Sequence, residues 1–487
     1  MRIITAYVGR VLFILGLILL VPLVFALLNG ETVTPLAFFY ASVASWALGG
    51  VMHSFGTGKA PTPAQAMLVC TLSWCVISVA GAIPFVLAGG CGWIDGIFET
   101  MSGFTTTGMT IFSGLDSMPR SIILWRSLTQ WVGGLGIITF FIAVISQVPG
   151  AHRLVGAESH KVFAGRPVPG LLNTVKILWI IYAGLTLALA AGFRLAGMNT
   201  FDTVNHAMTT LSTGGFSPHD LSMDWYRATG TGNYILIEYL AAAGMIAGGI
   251  NFLVHYRVFR GEGPLALFRG SENRLWWILI CGFTGVIMLE QLLSGTLSLE
   301  GLESTFRRDV FQVASVISTT GFSTVNLHDS FFGGAARQLF MVMMIIGGCA
   351  GSTGGGIKVL RVSVLLKAVA NQVRKLFRAE RAVSGTRYEG RLLPRGEVSR
   401  ITAIVFVWLL FLLAGGVVTS IFEPDMKTIA AASGMFSALG NIGPSLMTQE
   451  NLIALHPAVK ITYTIGMLAG RLEILPVLLV FSRKAWR

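Results

Sequence analysis

Four short stretches hold the residues whose types and spacing bear on chemistry: TTTGMT at 105–110, STGGFS at 212–217, STTGFS at 318–323 and GNIGPS at 440–445. Three are runs of hydroxyl side chains ending in glycine, and the fourth keeps the glycine. None brings a nucleophile beside a base. What such turns do offer is backbone carbonyl oxygen, because glycine lets a carbonyl turn inward without a side chain crowding the path or forbidding φ > 0. A ring of four glycine-containing turns would replace the hydration shell of a bare monovalent cation. The oxygen-bearing candidates are Thr106, Thr107 and Gly108; Ser212, Thr213 and Gly214; Thr319, Thr320 and Gly321; and Asn441, Ile442 and Gly443. One such turn alone is only a capping turn, whereas four in register point to one shared site.

The register is regular. Asp95, Asp202 and Asp309, which open the first three stretches, are 107 residues apart in both intervals; Gly108, Gly214 and Gly321 are 106 and 107 apart, and Gly443 follows 122 later. Self-similarity at fixed spacing marks duplicated structural units. Each acid is followed by about a dozen residues before its glycine, a helix of roughly 18 Å at 1.5 Å per residue, too short for about 30 Å of hydrocarbon. Such a segment enters the membrane and returns, and its irregular backbone is tolerated only where protein or water surrounds it. Asp95, Asp202 and Asp309 are expected at an N-cap or first turn, where an acid opposes the positive end of the dipole. The helix C-termini then face the membrane centre.

A second glycine-bearing segment follows each turn: WVGGLGI at 131–137, AGMIAGGI at 243–250, GGCAGSTGGG at 347–356 and GMLAGRLEIL at 466–475. In the first two, small residues permit close helix approach. The third has six glycines in ten residues, each costing about 1 kcal/mol in a helix, and is expected to break near mid-membrane. Gly347, Gly348, Gly351, Ser352, Thr353, Gly354, Gly355, Gly356 and Lys358 form this candidate gate. A phosphate loop needs G-x-x-x-x-G-K-[ST] after a strand, and GSTGGGIKV does not fit it. Arg471 lies within an apolar run, where a charge usually faces a cavity or a partner. Facing the pathway it would be an electrostatic barrier; otherwise it would pair with Glu473 or Glu238. His206 and Gln312, in the re-entrant segments, read as packing or bracing residues.

The elements that must hold these residues are membrane spans. Of 487 residues 53% are apolar and 12% charged, against roughly 25% charged in soluble domains. The expected fold is an all-α polytopic membrane protein with about ten transmembrane helices. It comprises an N-terminal two-helix unit (1–58), four pseudo-fourfold span–re-entrant helix–span repeats (62–147, 171–258, 273–366 and 401–482) and a basic loop, 367–400. Segments 1–10, 53–64, 148–170, 256–274, 367–400 and 482–487 hold 22 of the 35 Lys+Arg but 6 of the 23 Asp+Glu. By the positive-inside rule they, and both termini, are cytoplasmic. The basic charge is therefore spent on orientation, and nucleic-acid binding loses its basis. The densest stretch, 367–400, suits orientation, anionic lipid or a cytosolic partner. Cys70, Cys75, Cys91, Cys281 and Cys349 form no C-x-x-C or metal-ligand cluster and read as packing residues. An enzyme is not expected, since neither H-E-x-x-H nor G-x-S-x-G occurs.

The four turns, the GGCAGSTGGGIK break and the GRLEIL arginine resemble the pore subunit of the Trk/Ktr/HKT superfamily, in the bacterial Trk branch, over residues of about 65 to 482. The resemblance implies potassium uptake through one chain, with the four turns as selectivity filter, 347–358 as gate and Arg471 as barrier. It further implies a multi-pass homodimer in the bacterial cytoplasmic (inner) membrane and a cytosolic, TrkA-like nucleotide-binding regulatory ring. Potassium is the substrate; the nucleotide sits on the regulator, and this chain carries no cofactor. Sodium-permeable relatives have serine at the first filter glycine, so Gly108 favours potassium. The fourth turn departs from the pattern in Asn441, Ile442 and Pro444. Sodium- or proton-coupled symport is the competing expectation, with Glu238, Glu290 and Glu473 as its few acids within spans.

Overall fold

The computed structural model describes residues 1–56, 61–145, 171–296, 301–377 and 385–486. Basic segment 148–170, the last two residues of the expected first repeat and part of loop 367–400 lie outside these ranges. Six described helices are long and apolar enough to cross a membrane: Arg2–Leu28, Thr34–Ser54, Pro63–Ala88, Asn173–Leu195, Ser271–Leu293 and Gly396–Phe422. The pair Tyr234–Gly249 and Phe252–Glu262 would be a seventh, bent by 101°. The other expected spans fall on Arg120–Ile145 and on two interrupted segments, Gly334–Met343 with Val359–Lys375 and Pro457–Arg471 with Leu475–Leu479. Leu409, Leu413, Val417 and Ile421, four apart and on one face of their helix, are all exposed, Leu413 to 62%. An apolar stripe of that extent is a lipid-facing surface. The chain is a helical membrane protein.

Four shorter helices sit between the spans: Trp93–Phe104, Thr200–Leu211, Leu302–Ile317 and Thr428–Gly440. The first packs on Pro63–Ala88, Arg120–Ile145 and Pro457–Arg471. Asp95 and Asp202 lie in first turns as expected, and the Asn199 side chain accepts from the Asp202 amide at 2.8 Å as N-cap. Asp309 does not. The third short helix begins at Leu302, with Glu303 in its first turn, so Asp309 lies mid-helix and gains nothing from the dipole's positive end. The extra turn is supported by Arg307, which bonds Glu303 at 2.9 Å and pairs with Glu238.

Helix breaks are commoner than expected. The second glycine segment does more than allow close packing: the helix ends at Gly249 and restarts at Phe252, with the Asn251 side chain accepting from the Leu253 amide at 2.8 Å. The fourth breaks after Arg471, where Glu473 and Ile474 adopt φ of 63° and 66°. The N-terminal helices pack on the helices that follow them. Helix Arg2–Ile18 packs along Thr34–Ser54 and Pro63–Ala88, and the Glu31 carboxylate accepts from the Ser121 amide at 3.0 Å.

Candidate ion pathway

Each short helix ends in the same way. Thr107 N donates to Ser102 O at 2.8 Å, Gly214 N to Thr209 O at 2.9 Å, Thr320 N to Ser315 O at 2.9 Å and Ile442 N to Ser437 O at 3.0 Å. These six-to-one bonds close Schellman caps, which require a left-handed residue just before the donor. That residue is Thr106, Thr213, Thr319 or Asn441, with φ of 52°, 52°, 60° and 54°. A β-branched residue with φ > 0 is an outlier; three equivalent ones mean that the surroundings hold the strain, as at functional sites. Asn441 tolerates this conformation better than threonine, so the departure in the fourth turn keeps the shared backbone geometry.

Two residues on, Gly108, Gly215, Gly321 and Gly443 have φ of 80°, 78°, 95° and 99°. This corrects the expected register in the second turn. Gly215 is the counterpart of Gly108, Gly214 takes the place of Thr107, and Ser212 is the helix C-cap. Adjacent glycines are ambiguous by composition, although TTTGMT and STGGFS aligned letter by letter carry the answer.

The glycines join the turns into a ring. A Cβ built on Gly108 would overlap Gly214 O, one on Gly215 would overlap Thr320 O, one on Gly321 would overlap Ile442 O, and one on Gly443 would come within 2.9 Å of Thr107 O. Each turn thus presses its glycine on the carbonyl just before the next turn's glycine, and the fourth closes on the first. Among the described residues no donor reaches the carbonyls of Thr106, Thr107, Gly108, Thr213, Thr319, Thr320, Gly321, Asn441, Ile442 or Gly443. Gly214 O differs, accepting from Gln130 Nε2 at 2.6 Å, while Gln130 Oε1 accepts from Phe216 N at 3.0 Å. Four helix C-termini converge here, each favouring a cation, beside carbonyls free to ligate one.

Buried side chains brace the ring. Asn441 Nδ2 donates to Thr107 Oγ1 at 2.9 Å and Met467 O at 2.8 Å, joining the fourth turn to the first. Glu99 and Arg126 form a fully buried pair at 2.8 Å; Arg126 also donates to Ser217 O at 3.0 Å, and Glu99 accepts from Ile111 N at 3.1 Å. His206 lies 3.3 Å from Ser217 Oγ and 3.1 Å from Asp202 O, a bracing position. On the loop that follows the second turn, His219 bridges Asp202, at 2.9 Å, and Asp116. Burial lowers its pKa, but the bonds to both carboxylates outweigh burial and hold it above the ordinary value. This brace is therefore full at low pH and fades as pH rises through that raised value.

Against the other end of the ring lies the glycine segment. Residues 344–358 leave the helix, with Gly347 N donating to Ile357 O and Ile357 N to Ile345 O, both at 3.0 Å. Thr353 Oγ1 donates to Leu211 O at 3.1 Å and Gly248 O at 3.0 Å, and Gly355 N donates to Thr319 Oγ1 at 2.7 Å. Gly355 also packs so closely on Gly440 that a Cβ would lie 2.6 Å from its carbonyl oxygen. A Cβ on Gly348 would lie 2.6 Å from Ser352 Oγ, Gly351 O accepts from Phe252 N at 3.1 Å, Gly354 O accepts the Lys358 ammonium, and Gly356 packs on Gly347. The break thus occupies the space beneath turns two, three and four, with Lys358 folded back into it.

Arg471 completes the floor. Its guanidinium is buried and donates to Gly133 O at 3.0 Å, Gly134 O at 2.9 Å and Thr353 O. The alternative ion pairs do not form: Glu473 is bonded to Arg361 and Glu238 to Arg307. Among the described residues this cation is held by carbonyls alone; it tethers the loop to helix Arg120–Ile145 and places positive charge beneath the ring.

The sequence reading missed Glu272. Its buried carboxylate accepts from Ala350 N at 2.6 Å and Leu360 N at 3.1 Å, pinning the loop and the helix start that follows it to helix Ser271–Leu293. A lone acid at a helix start looks like an ordinary dipole partner, so no sequence signal marks it. Glu272→Ala leaves two buried amides without acceptors, about 1–3 kcal/mol each, and lowers the melting temperature, whereas Glu272→Gln keeps an acceptor and most of that stability. Equal destabilisation in both variants, measured by thermal melting, would contradict the clamp.

These features define a class: a helical membrane protein with four re-entrant carbonyl turns over a glycine-rich plug. The chain belongs to the TrkH family of cation transport proteins, whose family model matches residues 36–486. It is 30% identical over 497 residues to the Trk system potassium uptake protein TrkH of Halomonas elongata, covering 100% of this chain and 99% of that one. The protein of the same description from Vibrio parahaemolyticus is 33% identical over 446 residues, covering 87% and 86%. The crystal structure of the potassium transporter TrkH from Vibrio parahaemolyticus matches with TM-score 0.86 and 28% identity, covering 100% of this chain and 99% of that one.

Proposed function

We propose that this chain is a gated, potassium-selective pore for uptake across the bacterial cytoplasmic membrane. The observation that carries the reading is the closed ring of turns, whose donor-free carbonyls stand next to glycines with no room for a side chain. The printed names of the relatives, potassium uptake proteins of Trk systems, agree with it. A cation entering the ring exchanges water for carbonyl oxygen, while the converging helix ends offset its dehydration by about 0.3–1 kcal/mol each. The plug and Arg471 then bar its way until the loop moves.

The fuller reading has ten spans in four repeats, both termini cytoplasmic, a homodimer, and a TrkA-like cytosolic ring that binds the nucleotide and pulls the loop. Two contacts suit that last step. Arg361, just past the loop, is bonded to Glu473 beyond Arg471, and the hairpin Arg387–Tyr388 with Arg391–Leu392 rests on the start of Ser271–Leu293 through Glu389 and Ser271. Passive conduction is preferred to coupled symport because the expected relay acids are engaged: Glu238 with Arg307, Glu473 with Arg361, and Glu290 with the Ala335 and Ala336 amides at 2.8 Å.

The test is cation flux into vesicles of the purified chain under a set membrane potential and no pH gradient. Potassium and rubidium flux that follows the voltage, with sodium and lithium at least about tenfold slower, a difference of roughly 1.4 kcal/mol, is the expected outcome. Flux that waits for a proton or sodium gradient would replace the pore by a symporter.

A further inference from the structure

The three repeated acids have unequal surroundings. Asp95 is paired with Lys460 at 2.6 Å. Asp202 has His219 at 2.9 Å, Tyr226 at 3.1 Å and Asn199 at 2.7 Å. Asp309 is fully buried, and among the described residues its sole partner is Gln291 Nε2, 3.2 Å from Oδ1; Oδ2 has none. Gln291 Oε1 and both side-chain ends of Gln312, one turn along the same helix, are buried without partners as well. The group holds three orphaned acceptors and one orphaned donor.

Among the described residues no cation balances Asp309. On its own helix, Arg307 is taken by Glu238 and Glu303, and Arg308 lies over the Phe331 ring with its centre 5.5 Å away. Three helices pack on this one. Tyr234–Gly249 brings Glu238, bonded to Arg307, and Tyr239, which donates to Glu303. Ser271–Leu293 brings Glu290, which caps the Ala335 and Ala336 amides. Gly334–Met343 brings Arg337, which donates to His328 O at 3.2 Å and Asp329 O at 3.0 Å. Its mid-helix position removes the dipole's help too. An ionised carboxylate stripped of water with no cation and one hydrogen bond is strongly disfavoured and takes up a proton instead.

We propose that Asp309 is a proton-binding site, holding a neutral carboxylic acid inside the third short helix. The proton comes from the aqueous phase and converts Oδ2 from a surplus acceptor into a donor for one of the two partnerless amide oxygens, Gln291 Oε1 or Gln312 Oε1. Together with Gln291 and Gln312 it forms a neutral hydrogen-bonded unit behind the third turn, so no fixed negative charge competes there with the carbonyls for cations. This last consequence rests on the proposed pore; the protonation itself does not.

The experiment is infrared spectroscopy of the detergent-purified chain at neutral pH, with hydrogen–deuterium exchange to identify protonated carboxyl C=O bands. Asp309→Asn, which mimics the neutral acid, is expected to lose one such band while keeping the wild-type melting temperature. Asp309→Glu provides a second variant in case the asparagine protein does not fold, and is expected to retain a shifted band. Because the folded state would bind the extra proton, wild-type stability falls as pH rises from the ordinary carboxylate range through the folded-state titration and levels off above it, and that component disappears in Asp309→Asn. If Asp309→Asn loses only a carboxylate band, or loses no band, the acid is ionised and the proposal is wrong. A carboxylate band that shifts when sodium replaces potassium would likewise overturn it, in favour of a bound metal cation. Neither readout uses flux, so the result stands apart from that of the vesicle assay.

Discussion

Gly215→Ser abolishes most potassium-over-sodium discrimination, with a loss of at least about tenfold, while Gly214→Ala is milder. The difference follows from backbone geometry. Gly215 has φ of 78°, and a Cβ there overlaps the carbonyl of Thr320 in the next turn. A left-handed L-residue costs roughly 1–2 kcal/mol before any overlap is relieved, and about 1.4 kcal/mol is already tenfold. Relief must come from Thr320 O, one of the donor-free carbonyls of the ring, so the strain falls on the ion's own ligands. At Gly214 a Cβ meets the side chain of Gln130. Gln130 moves and loses its bond to Gly214 O, but no turn is displaced by its neighbour. Reversal potentials in mixed potassium and sodium, with both variants confirmed monodisperse, check the order. Equal selectivity loss in the two would mean that the second turn has no defined register. Loss in Gly214→Ala alone would restore the assignment of Gly214 as the counterpart of Gly108.

Much of this arrangement is legible in the sequence because it is repeated. Hydrophobic length and charge asymmetry mark the spans, and three acids 107 residues apart place the short helices between them. The break at 347–358 is legible because six glycines outweigh any helix propensity. What is not legible depends on tertiary fit. The second-turn register is ambiguous by composition in two adjacent glycines, and the φ of Gly215 with the approach of Thr320 O agrees with what letter-by-letter alignment to TTTGMT gives. Asp309 matches Asp95 in spacing, yet the third helix starts a turn and more earlier, because Arg307 finds Glu238 in another segment. The break after Arg471 has no glycine or proline at its centre; Ile474 is held at φ 66° by the surrounding structure. Asn441 looks irregular in sequence but, glycine apart, is the residue type best suited to the shared left-handed cap.

Arg471→Gln raises unstimulated potassium flux ten- to a hundredfold, and Arg471→Lys does so far less. Two effects of the guanidinium are separable. One is charge: a unit positive charge opposes an approaching cation by about 4 kcal/mol at 4 Å and an effective dielectric of 20, and half that at twice the distance. The other is the tether, three hydrogen bonds that run from Thr353 in the loop to Gly133 and Gly134 in repeat one. Lysine keeps the charge but presents a point ammonium in place of a planar fork, so it cannot span the same three carbonyls. If charge is the larger effect, lysine stays near wild type and glutamine leaks; if the tether is, both leak alike. The first outcome is expected, because the loop has further fixings in Thr353 to Leu211 O, Gly355 to Thr319 and Ala350 to Glu272. Selectivity should remain unchanged in either variant, since Arg471 bonds none of the ring carbonyls. Flux without stimulation and reversal potential, read from the same vesicles, separate the floor of the pathway from its filter. Loss of selectivity in Arg471→Gln would show that floor and ring are one structure.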